Sequence, residues 1–163
     1  MSEQSDSSIM AGFQFVSYKV DSIEFRTANN VGVLKCKNSI EAEQLSFSIA
    51  IKEPQRYRKE GITTFYIGGL VAKVQLLAKD KPAIEMASGS FSITGLFEKH
   101  GEITLDQEEY MVKATIPSIL LGYLRSTITG TIANAGFGSV VLPLININNM
   151  VKGMDIHIID HAL

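Results

Sequence analysis

Residues 117–151 carry a single formal charge, Arg125, in a chain that is 20% Asp, Glu, Lys and Arg. A stretch so poor in charge has to be covered by the chain's own core or by a partner, and this constrains the fold more than any other feature. It divides into two parts. Over residues 117–135, Ile119, Leu120, Tyr123, Leu124, Ile128 and Ile132 recur at spacings of three and four, which predicts an amphipathic helix with one apolar side. Gly122, Ser126 and Gly130 lie four apart and form a second stripe of small side chains, where another helix can approach closely. Tyr123, Thr127 and Asn134 flank that seam. Residues 136–151 are Gly- and Pro-punctuated yet rich in Leu142, Leu144, Ile145, Ile147, Met150 and Val151. The helix is therefore expected to give one face to a sheet and the small stripe to another subunit. The apolar run is left for a binding partner.

The chain of 163 residues suits one domain with a real core. Residues 1–11 read as a flexible polar leader and residues 12–163 as the domain. A net charge of -2 without a local basic cluster argues against nucleic acid as a partner. One cysteine, Cys36, cannot form an internal disulfide, and residues 1–8 lack the pattern of a signal peptide; both point to a cytoplasmic protein. Arg125, Asn134 and Pro143 argue against stable membrane insertion of the low-charge block.

Ahead of that block the pattern is of strands. Leu45, Phe47, Ile49 and Ile51 alternate with Ser46, Ser48, Ala50 and Lys52, predicting a half-buried strand that ends before Pro54. Residues 63–78 carry apolar side chains on both faces, as a covered central strand would. Between residues 13 and 26 the apolar parity switches twice: Phe13 and Phe15, then Val16, Tyr18 and Val20, then Ile23 and Phe25. Such a strand needs bulges or a bend. In residues 83–96 the parity also slips, and Gly89 is the expected bulge. The charged residues 55–61 read as a loop, residues 107–115 as a short helical turn, Pro117 as a first helical residue and Gly136 as a left-handed cap. Residues 148–163 read as a second short helix. Strands followed by helices indicate an α+β fold with a four-stranded antiparallel sheet.

Catalytic patterns are sparse. Gly136-Phe137-Gly138 follows a helix and lacks the strand-turn-helix context of a nucleotide fingerprint. His157 and His161, four apart with Asp160 nearby, form a conceivable metal pair, but no HExxH accompanies them and a solvated tail is the simpler reading. Glu41, Glu43, Glu108 and Glu109 read as solvated charge. No metal, cofactor or enzyme activity is expected.

With these residues in place, the chain resembles the SecB family of bacterial export chaperones. Pro117-Ser118-Ile119-Leu120-Leu121-Gly122-Tyr123-Leu124-Arg125, continuing through Ile128 and Thr129, follows the family's helix pattern of Pro, Asn, Ile, Leu, then Tyr and Arg. Leu142-Pro143-Leu144-Ile145-Asn146-Ile147 resembles its apolar-Pro-apolar-Asn-Phe segment, and Phe91-Ser92-Ile93-Thr94-Gly95 its Phe-Ser-Ile-Ala-Gly. The resemblance implies a four-stranded antiparallel sheet, a long helix and a short second helix. It also implies a homotetramer, a dimer of dimers with the long helix at its centre. Unfolded client polypeptides would lie in apolar grooves at Val31, Val33, Leu34, Leu142, Leu144, Ile147, Met150, Val151 and Met154. Methionines and aliphatics suit a surface that repacks around different clients.

The implied function is an ATP-independent holdase, either for preproteins passed to the SecA motor or for the antitoxin of a toxin-antitoxin pair. Export relatives present acids on the sheet, whereas this chain has Ser22, Arg26 and Ile84 at the corresponding positions. Two further readings remain: a hotdog-like small-molecule enzyme, which needs a carboxylate where this helix begins Pro117-Ser118-Ile119, and a structural relative without a client groove.

Overall fold

The computed structural model describes residues 12–27, 45–77 and 85–163. The expected leader, the connection holding Val31, Val33, Leu34 and Cys36, and the turn near Pro82 lie outside the described residues. The described chain is α+β, with one mixed sheet and a long helix across one face of it.

Among the described residues the sheet has six strands, not four: β1 (Phe13–Thr27), β2 (Leu45–Ile51), β3 (Gln55–Lys59), β4 (Ile62–Leu77), β5 (Glu85–Lys99) and β6 (Ile159–Ala162). Their order is β1-β5-β4-β3-β6, with β2 also paired to β4. The expected antiparallel strands are β1, β2, β4 and β5; the two additions explain the correction. Charged Gln55–Lys59 is strand rather than loop, because Glu60 and Gly61 both have positive φ and close a two-residue hairpin onto β4. Both β2 and β3 lie along the same flank of β4, β2 on Leu70–Leu76 and β3 on Ile62–Ile67, running in the same direction with residues 52–54 between them. Residues expected to extend a second helix instead form β6, which runs parallel to β3.

In β1 the two parity switches are two register shifts, at Val16 and at Asp21. Each extra residue reverses the alternation, so the pairing returns the apolar groups other than Val16, itself the first bulge, to one face. Phe15 lies opposite Phe97, Tyr18 opposite Gly95, Val20 opposite Ile93 and Ile23 opposite Phe91. Gly89, by contrast, stays in register with Phe25 and Val74, and the shift in β5 falls at Met86. The parity slip was real but belongs three residues earlier.

The helical layer starts before Pro117. A capping box between Thr104 and Gln107 opens α1 (Leu105–Tyr110). A wider π segment, Met111–Thr115, leads into α2 (Ile116–Ile132), and the Ile116 N–H donates to the Met111 carbonyl five residues back. Pro117 explains the wide turn: it has no N–H for the Lys113 carbonyl, and its ring would crowd that carbonyl in a regular α-turn. After a second π segment, Ala133–Phe137, the helix ends at Gly136, whose φ of 95° is the expected left-handed stop. The second helix, α3, is one short turn, Ile147–Val151, capped by the Asn146 side chain.

Ile116, Leu120, Leu124, Ile128 and Ile132, all four apart, are buried by the sheet. They meet Tyr66, Leu70, Ala72, Val74 and Leu76 of β4 and Phe91, Ile93 and Phe97 of β5 in one core. Two paired glycines let the helix down onto the strands. A Cβ on Gly68 would stand 2.4 Å from Ile116 Cγ2, and one on its partner Gly95 would stand 2.5 Å from Leu120 Cδ2. The first turn of α2 therefore rests on backbone, and every later side chain on its exposed side inherits that height and rotation.

Candidate functional site

Because α2 buries its Ile116-to-Ile132 stripe, the Gly122, Ser126 and Gly130 stripe faces outward. All three are exposed, with open space where a Cβ would stand on Gly122 or Gly130. Tyr123 and Asn134 are exposed beside it and Thr127 is half-buried. Tyr123 stacks on Tyr18 at 4.2 Å between ring centroids and on Phe15 at 5.3 Å, tying the helix to β1. Past these rings, Tyr18, Val20 and Ile23 remain substantially exposed on the helix side of β1, because α2 lies over β4 and β5 and stops short of this edge strand. Small residues and exposed apolar groups are thus contiguous along one flank.

Residues 138–146 carry no regular hydrogen-bonding pattern, yet they are fixed. Arg125 donates from one guanidinium nitrogen to the Pro143 carbonyl at 2.6 Å and from the other to the Leu142 carbonyl at 2.9 Å. Val140, Leu142, Ile147 and Val151 point into the core as anchors. Their neighbours are consequently forced out: Val141 is 71% exposed, Leu144 94% and Met154 40%, with Met150 half-buried between. The single charge of the low-charge block is therefore a structural clamp. It holds an aliphatic and methionine surface open to solvent.

Of the expected groove residues, Leu144, Met150 and Met154 reach the surface, whereas Leu142, Ile147 and Val151 support it from beneath. Val31, Val33 and Leu34 lie outside the described residues. Exposed Val141 was missed, since burial alternates along an extended run only when the anchoring neighbours are known.

At the far edge of the sheet a charged cluster joins layers. Arg56 of β3 holds both Glu108 oxygens of α1, at 2.8 and 2.9 Å, and pairs with both Asp160 oxygens of β6, at 2.6 and 2.9 Å. Buried Tyr66 donates to Glu108 Oε1 at 2.7 Å. The Asp160 hydrogen bond pushes the Arg56 pKa further up, and the same bond draws that of Asp160 down; burial and then the Glu108 bond raise Tyr66. Glu108, read from sequence as solvated charge, is instead a buried joint. His157 and His161 do not share a helix face: His161 lies in β6, its ring stacked 4.7 Å from that of Tyr57. Among the described residues no cluster of three His, Cys, Asp or Glu could hold a metal ion.

The open face of the sheet is mixed in sign. Asp21, displaced by its bulge, accepts from Lys52 at 2.8 Å and from Thr94, and pairs with Lys19. Burial opposes its ionisation, but these partners prevail and hold its pKa at about 2. Glu24, Arg26, Lys73 and Glu85 line a serine-rich concavity of ≈ 570 Å³ nearby. Among the described residues no helix is long and apolar enough to cross a membrane.

The sheet with its long helix is similar to the SecB-like fold. The structure matches a SecB-like chaperone of Mycobacterium tuberculosis, in complex with a ChAD peptide from an antitoxin, with a TM-score of 0.56 at 12% identity, covering 82% of this chain and 91% of that one. A Streptococcus agalactiae protein of unknown function matches with a TM-score of 0.45 at 11% identity over 82% of this chain and 97% of that one. No family model matches the chain, and no curated protein matches it in sequence.

Proposed function

We propose that the protein is an ATP-independent holdase, binding unfolded polypeptide through the aliphatic surface at Val141, Leu144, Met150 and Met154. The observation that carries this is the Arg125 clamp: a folded chain that pins a run by two carbonyls and leaves Leu144 almost wholly in water is presenting that side chain. Affinity would be the sum of weak apolar contacts, about 25 cal/mol per Å² before ordering costs. The outward Gly122, Ser126 and Gly130 stripe, with Tyr18, Val20 and Ile23 beside it, supports assembly of copies into a tetramer through this flank.

Between an antitoxin client and preproteins for export, the open face favours the antitoxin class. Its mixed charges, with Lys19, Arg26, Lys52 and Lys73 among Asp21, Glu24 and Glu85, do not form an acidic platform for a motor such as SecA. The SecB-like neighbour's antitoxin peptide supports the same choice. A cytoplasmic location follows from either client.

The test is suppression of light scattering by an aggregating, chemically unfolded client without nucleotide. Wild type at a few-fold molar excess suppresses it, and Leu144→Asp with Met154→Asp does not while keeping the parent's mass in solution. Equal suppression by both proteins sinks the surface assignment.

A further inference from the structure

The outer edge of β3 is cationic, with Arg56, Arg58 and Lys59 on one five-residue strand, and β6 covers it. The cover is built like a bound peptide. Its backbone pairs in parallel, with the Ile159 N–H donating to the Pro54 carbonyl and the Leu163 N–H to the Arg58 carbonyl. Asp160 takes the Arg56 fork on the helix side, and His161 lies flat on Tyr57 on the open side. Leu163 lines a shallow apolar depression of ≈ 190 Å³ with Tyr57, Phe65, Ile67 and Leu96. Main-chain bonds with pockets for alternate side chains are the physics of strand addition. The fit is also incomplete. Three buried side-chain polar atoms lack a hydrogen-bond partner among the described residues, and two of them lie at this junction: His161 Nε2, and Arg58 Nε, whose contact with Asp160 Oδ1 at 3.4 Å is a loose ion pair and not a hydrogen bond. A buried polar atom left unpaired weakens the contact that buries it.

We infer that the β3 edge is a strand-docking site for an extended acidic segment of polypeptide, and that β6 is its displaceable resident. The site takes a carboxylate at one position, a flat ring at the next and an aliphatic side chain two further on, in the order of Asp160, His161 and Leu163. The inference rests on the polypeptide-binding reading for the source of the incoming strand. It places a second, backbone-reading contact at the opposite edge of the sheet from β1.

The test uses the full chain and a fluorescein-labelled peptide His-Ile-Ile-Asp-His-Ala-Leu, a copy of residues 157–163. In a Cys36→Ser background, Gln55→Cys with Ile159→Cys places thiols at a register pair, and oxidation locks β6 in place. By fluorescence anisotropy the oxidised protein should bind the peptide at least tenfold more weakly than the reduced one. Asp160→Ala, which weakens the resident, should bind it about fivefold more tightly than wild type, because more of the edge is vacant. A peptide with Lys in place of Asp should bind poorly throughout. Equal affinity in the oxidised and reduced proteins overturns the inference, as does binding that appears only through a concentration-dependent dimer exchanging β6 between copies. Hydrogen exchange on wild type is an independent check: the Ile159 and Leu163 amides should exchange well ahead of those in β4, and exchange of both sets together at the global rate overturns a displaceable strand. Client protection by the locked protein with peptide binding lost supports both readings. Client protection absent from every form, with peptide binding still gated by the lock, contradicts the holdase alone.

Discussion

Gly68→Ala should lift the long helix off the sheet, and the size of the effect follows from two atoms. The new methyl would stand 2.4 Å from Ile116 Cγ2, where ordinary contact begins near 3.4 Å, so a gap of about 1 Å has to open. Ile116 cannot yield by rotation, since it is fully buried and β-branched residues in helices hold one χ1 rotamer. The backbone moves instead, and overpacking of this kind costs about 2 kcal/mol. Ile116→Ala alone removes a buried side chain and costs about 3 kcal/mol. Together the methyl fills part of the space that Ile116 vacates, so the double variant should lose about 3 kcal/mol rather than 5, a coupling well outside ordinary additivity. Urea unfolding followed by circular dichroism, at one fixed protomer concentration, gives these values from the midpoint at constant slope. Additivity of the two losses within 0.5 kcal/mol, on the order of experimental scatter, would refute the close seating of α2 on Gly68.

Three other outcomes are expected. Glu108→Ala leaves Arg56 Nη1 and the Tyr66 hydroxyl without their acceptor, while Asp160 still holds the other side of the guanidinium, and should destabilise by about 2 kcal/mol in the same assay, whereas Glu109→Ala, whose partner Lys113 is four residues away on the helical surface, should change little. Asp21 has its pKa lowered in the fold, so its stabilising effect is present above its unfolded value of 3.8 and is lost as pH falls towards about 2. Asp21→Asn should therefore be less stable than wild type at pH 7 and converge with it near pH 2, as measured by thermal melts. Arg125→Ala should leave α2 intact and release residues 138–146, seen as faster hydrogen exchange at Leu144 and Ile145 without loss of helical signal.

Much of the architecture was legible where one interaction dominates. The helix face from Leu120 to Ile132 and the Gly136 stop follow from periodicity and from the left-handed conformation that glycine tolerates. The parity switches of β1 also carried their meaning, because a bulge is the way a strand can keep Phe15, Tyr18 and Ile23 on one face. Gly89 misled because glycine marks both bulges and close approaches. Here a Cβ would stand 2.8 Å from Phe25 Cδ2, so packing explains the residue and the bulge sits elsewhere. Strands β3 and β6 were hidden by charge: Arg56 and Asp160 look solvated until tertiary contact pairs them. Within the candidate surface, composition marked residues 136–151 as an apolar run but could not separate Leu142, held inward, from Leu144, held outward. That distinction depends on where Arg125 grips the backbone.

The central claim is that unfolded polypeptide lies on the surface around Leu144 and Met154, and the chain's six methionines allow it to be read directly. With methyl-labelled methionine, titration of an unfolded client should shift or broaden the Met150 and Met154 signals and leave those of Met86 and Met111, both buried in the core, in place. A client that binds while Met150 and Met154 stay unchanged would contradict the account.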